Sequence, residues 1–168
     1  MSRVIPLVAA EIAERRARRE QSCCPEIWDL LDGVTDPEIP VLSLWDLGVL
    51  QDVQLSGEEV LVILTPTYSG CPAMEAMTDA VCQLLRDAGY HRVRVELRIS
   101  PAWTTDWISE GGREALRAYG IAPPVDDVAC PLCDAEETQL ISEFGSTACK
   151  ALYRCGRCGE TFDYFKRL

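Results

Sequence analysis

Two cysteine pairs near the C-terminus, Cys130-Pro131-Leu132-Cys133 and Cys155-Gly156-Arg157-Cys158, constrain this chain more than any other feature. Each Cys-x2-Cys reaches a single metal ion from one tight turn, and Gly159 suits the backbone that folds around the sulfur. Two such knuckles supply four thiolates in a tetrahedron, the closed site of structural zinc. The segment that carries them, 127–168, is too short to bury an adequate core, so metal binding contributes most of its folding free energy. The 21 residues between the pairs slightly exceed the usual spacing of about 15–20, which a longer hairpin absorbs. A rubredoxin-like iron site and a disulfide-paired module are the competing readings. Cys149, a fifth thiol in the segment, either packs nearby or takes the place of Cys155 as a ligand.

The chain has nine cysteines in 168 residues. No apolar run approaches the roughly 20 residues that cross a bilayer, and the first residues lack the pattern of a secretory signal. The expectation is a soluble, cytoplasmic protein with no membrane partner. In that compartment, cysteines point to metal binding or reactive thiols rather than disulfides. The net charge of −11 is uneven: residues 1–22 carry +2, residues 23–124 carry −10 and residues 125–168 carry −3. An acidic body repels phosphate backbones, so no nucleic-acid partner is expected. The acidic ribbon is read as a protein-docking or structural module.

Residues 7–20 read as a helix with a weak apolar stripe, expected to be a frayed or solvated extension rather than a docking arm. Pro25 opens a second short helix through Leu31. Leu47–Leu55 and Val60–Thr65 read as strands joined at Ser56-Gly57-Glu58 into a hairpin. From Pro72 to Ala88, Met74, Met77, Val81, Leu84 and Leu85 recur at helical spacing, and Gly89 closes the pattern. Val93, Val95, Leu97 and Ile99 alternate with polar residues as a half-buried third strand. A further helical pattern spans 104–119, weakened by Gly111-Gly112. Ala122-Pro123-Pro124 reads as a stiff linker.

Between the second strand and the long helix lies Thr65-Pro66-Thr67-Tyr68-Ser69-Gly70-Cys71-Pro72. If Pro72 is the first helical residue, Cys71 is the N-cap, its sulfur faces the free N–H groups of Ala73 and Met74, and thiolate is favoured. A strand–loop–helix junction is also where α/β sheets expose functional groups. The familiar thiol chemistries lack their partners. Met74 stands where a thioredoxin-type motif needs cysteine, and Met77 where a phosphatase loop needs arginine. His91, the single histidine, lies beyond the helix on the order of 25 Å away. A thiolate without a base suits a metal or cluster ligand better than an acyl-transfer nucleophile. Asp36, Glu38 and Thr67 are candidates for a shared pocket with it. Cys82 reads as core, and Cys23 and Cys24 have no usable partner spacing.

The motifs Asp36-Pro37-Glu38-Ile39-Pro40, Trp45-Asp46-Leu47-Gly48, Thr65 to Pro72 and Pro101-Ala102-Trp103-Thr104-Thr105-Asp106-Trp107-Ile108 resemble the small domain family of iron–sulfur assembly factors that includes SufT. With Phe144 to Tyr153 and Phe162-Asp163-Tyr164-Phe165-Lys166, the chain is similar to the PaaD family, whose members add a zinc-ribbon-like tail to that domain. The resemblance covers about residues 25–168. It implies an α/β (α+β) fold, with a mixed sheet of three or more strands packed by helices and a C-terminal zinc ribbon. The expected organisation is a helical extension at 1–22, the assembly-type domain at 23–122 and the ribbon at 127–168. It further implies a non-catalytic accessory role beside the phenylacetyl-CoA epoxidase. The partners would be epoxidase subunits, especially the iron–sulfur reductase component, with a homodimer left open. Cys71 would be the functional thiol that transiently holds iron or an iron–sulfur cluster, Asp36 and Glu38 its neighbours, and Cys130, Cys133, Cys155 and Cys158 the zinc ligands. The alternative role is a stoichiometric structural or effector subunit. The residues agree in one respect: no Glu-x-x-His pair for a di-iron site and no nucleotide-binding glycine motif is present.

Overall fold

The computed structural model describes residues 7–168; the first six residues of the expected extension lie outside the described residues. The fold is mixed α+β, in two compact units, Met1–Trp107 and Ile108–Leu168.

In the first unit, α1 (Leu7–Glu20) and α2 (Pro25–Leu31) precede β1 (Leu50–Ser56) and β2 (Glu59–Leu64). These strands form the expected antiparallel hairpin, turning at Gly57 with φ +61°. The helix α3 (Ala73–Asp87) then crosses over to β3 (Arg92–Leu97), which lies parallel to β2 in the order β1-β2-β3. A parallel neighbour requires such a crossover, because a short turn reverses chain direction. Val60, Val62 and Leu64 of β2 are buried and pair in register with Val93, Val95 and Leu97. Met74, Met77, Val81 and Leu85 bury the apolar stripe of α3, which packs on β3 and against α2. Val93 and Val95 are half-buried, but Leu97 is exposed, because β3 is the edge of the sheet.

The N-terminal helix is not a solvated arm. Arg15 is buried, and its guanidinium donates from Nε to the Leu50 carbonyl at 2.8 Å, from Nη1 to that of Trp107 at 3.3 Å and from Nη2 to that of Trp45. It also lies 3.9 Å from the centroid of the Trp45 ring. Burial lowers its pKa to about 10, offset in part by Asp46, so it stays charged at neutral pH. One cationic fork thus ties α1 to the start of β1, to the loop before it and to the turn at Trp107. A weak apolar stripe concealed this, since the docking group is a charge.

The helix expected over 104–119 is broken in two. A single 3₁₀ turn, Thr105–Trp107, closes the first unit, and α4 (Glu110–Ala118) opens the second. Ser109 is the reason: it has extended geometry, and its hydroxyl accepts from the Gly112 N–H at 2.9 Å, capping α4. Gly48 (φ +83°) lies against the 3₁₀ turn, where an added Cβ would be 2.7 Å from the Trp107 Cβ.

In the second unit, β4 (Ile121–Ala122), β5 (Thr138–Ser142), β6 (Lys150–Cys155) and β7 (Thr161–Phe165) form a sheet in the order β4-β7-β6-β5. The geometric division of the chain falls ahead of Ala122-Pro123-Pro124, because β4 pairs with β7 and α4 packs on β4. The core of this sheet is small: Ala122, Ala135, Ala151, Phe162 and Tyr164 are joined by the buried Cys130 and Cys155. Tyr153 stacks beside it on Phe162, with ring centroids 6.0 Å apart. No helix among the described residues is long and apolar enough to cross a membrane.

Candidate functional site

The two cysteine pairs sit on matching knuckles. In the first, the Asp134 N–H donates to the Cys130 carbonyl at 2.9 Å, and the Cys130 N–H to the Ala135 carbonyl at 2.9 Å. In the second, the Gly159 N–H donates to the Cys155 carbonyl at 3.0 Å, and the Cys155 N–H to the Glu160 carbonyl at 2.9 Å. The residue after each pair has positive φ, +61° at Asp134 and +80° at Gly159. Asp134 thus performs the turn that glycine performs in the second knuckle, a role aspartate tolerates at moderate cost. Gly159 is legible in the sequence as a turn residue and Asp134 is not, because there the left-handed turn hides behind a residue type common in loops.

The knuckles bring the Sγ atoms of Cys130, Cys133, Cys155 and Cys158 within 4.8 Å of one another. The Cys130–Cys158 and Cys133–Cys155 separations are 3.8 and 3.6 Å. A tetrahedron of sulfurs about 2.3 Å from a central zinc has edges of about 3.8 Å, so the donor set fits a four-coordinate metal. Cys149 stands outside the cluster, 3.0 Å from the Thr147 hydroxyl.

Four thiols this close do not ionise equally. The Cys158 backbone N–H, 3.4 Å from the Cys155 sulfur, and that of Arg157 lower Cys155 to about 6. At Cys133 the Ala135 N–H favours thiolate, but burial and the three neighbouring sulfurs outweigh it and push the thiol up to about 12. Cys158 is likewise raised, by burial and Cys155, despite the Glu160 N–H. At neutral pH, Cys155 is therefore ionised and Cys133 and Cys158 hold protons. A divalent metal must displace those protons, so affinity rises with pH through neutrality and weakens further below about pH 6, where Cys155 protonates as well. Calorimetry of metal binding in buffers of different ionisation enthalpy is expected to show release of at least the two protons of Cys133 and Cys158 per ion at about pH 7. Binding without proton release would contradict this distribution of charge.

The loop at Cys71 differs from its expected geometry. The N-cap of α3 is Pro72, already helical at φ −67° and ψ −22°, and no side chain caps the helix. The Met74 N–H, expected to face the Cys71 sulfur, instead donates to the Cys71 carbonyl at 3.2 Å. Cys71 therefore precedes the cap, half-exposed. Asp36 is buried, and its Oδ1 accepts from the backbone N–H of Glu38 at 2.7 Å and of Ile39 at 2.8 Å, fixing the turn that leads into Leu42. Glu38 is exposed and Thr67 half-buried. Among the described residues, the ribbon cysteines are the one group of three or more such ligands placed to hold a metal; Cys71, Asp36 and Glu38 do not form one.

Comparison with known proteins bears on both units. The description "Iron-sulfur cluster assembly protein" matches residues 25–97, the segment that contains Cys71. "PaaD zinc beta ribbon domain" matches residues 122–166 and includes all four clustered cysteines. An Escherichia coli (strain K12) protein, named "Putative 1,2-phenylacetyl-CoA epoxidase" and designated one of its subunits, is 51% identical over 150 residues, covering 84% of this chain and 91% of that one. The chain belongs to the PaaD family. A Porphyromonas gingivalis (strain ATCC BAA-308 / W83) protein named "Fe-S protein maturation auxiliary factor" is 33% identical over 97 residues, 56% of this chain and 89% of its own. The fold is also that of a Bacillus anthracis domain of unknown function, DUF59, whose crystal structure superposes with a TM-score of 0.51 at 21% identity. That match covers 62% of this PaaD-family chain and 95% of the domain.

Proposed function

We propose that this protein is an accessory factor of a phenylacetyl-CoA epoxidase complex, acting in the cytoplasm on the iron or iron–sulfur cofactors of that complex rather than on the aromatic substrate. The observation that carries this reading is the 51% identity, along 84% of the chain, to a protein named as a subunit of that epoxidase, joined to an assembly-type domain at 25–97. Zinc is the proposed metal of the ribbon, supported by the match to a zinc beta ribbon domain over residues 122–166 and compatible with sulfurs 3.6 and 3.8 Å apart, and the ribbon is the proposed partner-docking module.

In this reading Cys71 is the handling thiol. A single half-exposed sulfur does not hold a cluster by itself, so the step proposed for it is transient: Cys71 supplies one ligand while the client, the iron–sulfur reductase component, supplies the rest. Thr67, Asp36 and Glu38 are the proposed neighbours of that thiol, and Asp36 would act through the turn it fixes, which carries Glu38. Cys71→Ser is expected to leave fold and ribbon metal unchanged while the reductase accumulates with several-fold less iron and acid-labile sulfide. Normal cluster content in that strain removes the carrier role.

A second reading, a stoichiometric structural subunit, is favoured by the word "subunit" in the relative's name. It predicts stable co-purification with the oxygenase and indifference to Cys71→Ser, so one strain separates the two.

A further inference from the structure

The sheet of the N-terminal unit ends at β3, whose outer edge has no neighbouring strand among the described residues. Arg92, Arg94, Glu96 and Leu97 are exposed or nearly so there, and Ile99 just beyond is 74% exposed. An open edge is a template for another strand, and proteins usually blunt it with a bulge, a proline or repelling charges. The strand has neither bulge nor proline, and the charges along one face are of both signs.

We infer that β3 pairs antiparallel with β3 of a second copy of this chain, joining the two sheets across a two-fold axis at Val95. Main-chain direction limits the possible registers. The Arg98 N–H donates to the Leu64 carbonyl of β2 at 2.8 Å, and amide direction alternates along a strand. Arg92, Arg94 and Glu96 therefore turn their amides toward β2, whereas Val93, Val95 and Leu97 turn theirs outward. Centred on Val95, the pairing sets Val95 against its own copy and Val93 against the partner's Leu97, with about six main-chain hydrogen bonds.

The same register sets Arg94 opposite the partner's Glu96, twice, at non-hydrogen-bonded positions where side chains lie closest. A shift of two residues in either direction sets Arg94 against its own copy or Glu96 against its own copy. Of these three registers only the one centred on Val95 complements charge at positions 94 and 96, and it also covers Leu97. Its weak point is Arg92 opposite the partner's Arg98 at each end, where Glu58 lies 4.0 Å from Arg92. A single strand pair falls short of the roughly 1,200 Å² of a standard interface, so the dimer is reversible and depends on concentration.

Sedimentation velocity of the full chain along a dilution series tests this. The wild type is expected to show a monomer–dimer equilibrium. Arg94→Glu sets glutamate against glutamate at two positions and weakens association about tenfold or more. Arg94→Glu combined with Glu96→Arg restores the complement and returns the dissociation constant to within about threefold of wild type. A wild-type monomer at every concentration overturns the proposal, and is also the result if the edge accepts a strand only from a different protein. A dimer indifferent to Arg94→Glu overturns it too, by placing the interface elsewhere.

Discussion

Replacing Cys155 with serine is expected to strip the metal from the C-terminal unit and unfold it, while the N-terminal unit stays folded. Cys155 is fully buried within a core of few and mostly small side chains. Its sulfur also accepts the backbone N–H of Cys158, so the residue is both ligand and organiser of its knuckle. Structural zinc contributes about 10–16 kcal/mol to the folding of small metal-held modules, which equals or exceeds the whole stability of an ordinary domain, about 5–15 kcal/mol. The readouts separate cleanly. All four tryptophans, Trp28, Trp45, Trp103 and Trp107, lie in the first unit, so tryptophan emission should not change. Metal content should fall to near zero, and limited proteolysis should open the chain within 108–168. Cys149→Ser is the control and should keep its metal, since that sulfur stands outside the cluster. Full metal occupancy in Cys155→Ser would falsify the assignment.

Arg15→Ala is expected to be the most damaging single change of a charged residue in the N-terminal unit. It removes a buried cation that serves the carbonyls of Leu50, Trp107 and Trp45. Hydrogen bonds from a charged donor contribute about 1.5–3 kcal/mol each, and a carbonyl left buried without a partner carries its own desolvation cost. Part of this is recovered because the guanidinium is no longer withdrawn from water. A net loss of about 2–4 kcal/mol follows, enough to lower the midpoint of a domain of this size by about 10 °C or more. Arg15→Lys should lie between, because an ammonium is a point charge that does not span the three carbonyls. Trp45 lies beneath the guanidinium, so tryptophan emission reports the change directly. A melting curve unchanged in Arg15→Ala would mean that α1 is held by something else.

The parts of the fold legible in the sequence were those where one local signal agreed with the tertiary outcome. Gly57 between two apolar runs marked the hairpin, and the three- and four-residue spacing from Met74 to Leu85 marked α3. What was not legible depended on partners distant in the chain. The anchoring of α1 rests on arginines, a residue type that usually means solvent: Arg15 meets carbonyls 30 to 92 positions away, and Arg18 and Arg19 reach the Gln51 carbonyl and the Asp32 carboxylate. The break before α4 rests on a serine whose hydroxyl competes for one backbone donor. At the candidate sites the contrast is similar. Paired cysteines announce their geometry, because two residues between sulfurs leave few ways to turn. The Cys71 loop does not, because Pro72 permits the helix to start at Pro72 or at Ala73, and the choice decides which atom the Met74 N–H meets.

The close approach of Gly48 to Trp107 carries a consequence for how such sequences diverge. A side chain at 48 would collide with the Trp107 Cβ at 2.7 Å and would also have to adopt φ +83°. Smaller aromatics at 107 bring no relief, since every residue except glycine keeps its Cβ. The two positions are therefore locked together across the length of the unit: drift at 48 is closed to any lineage whose chain returns to this point, and an alignment of descendants should show glycine there even where the residues around it have been exchanged.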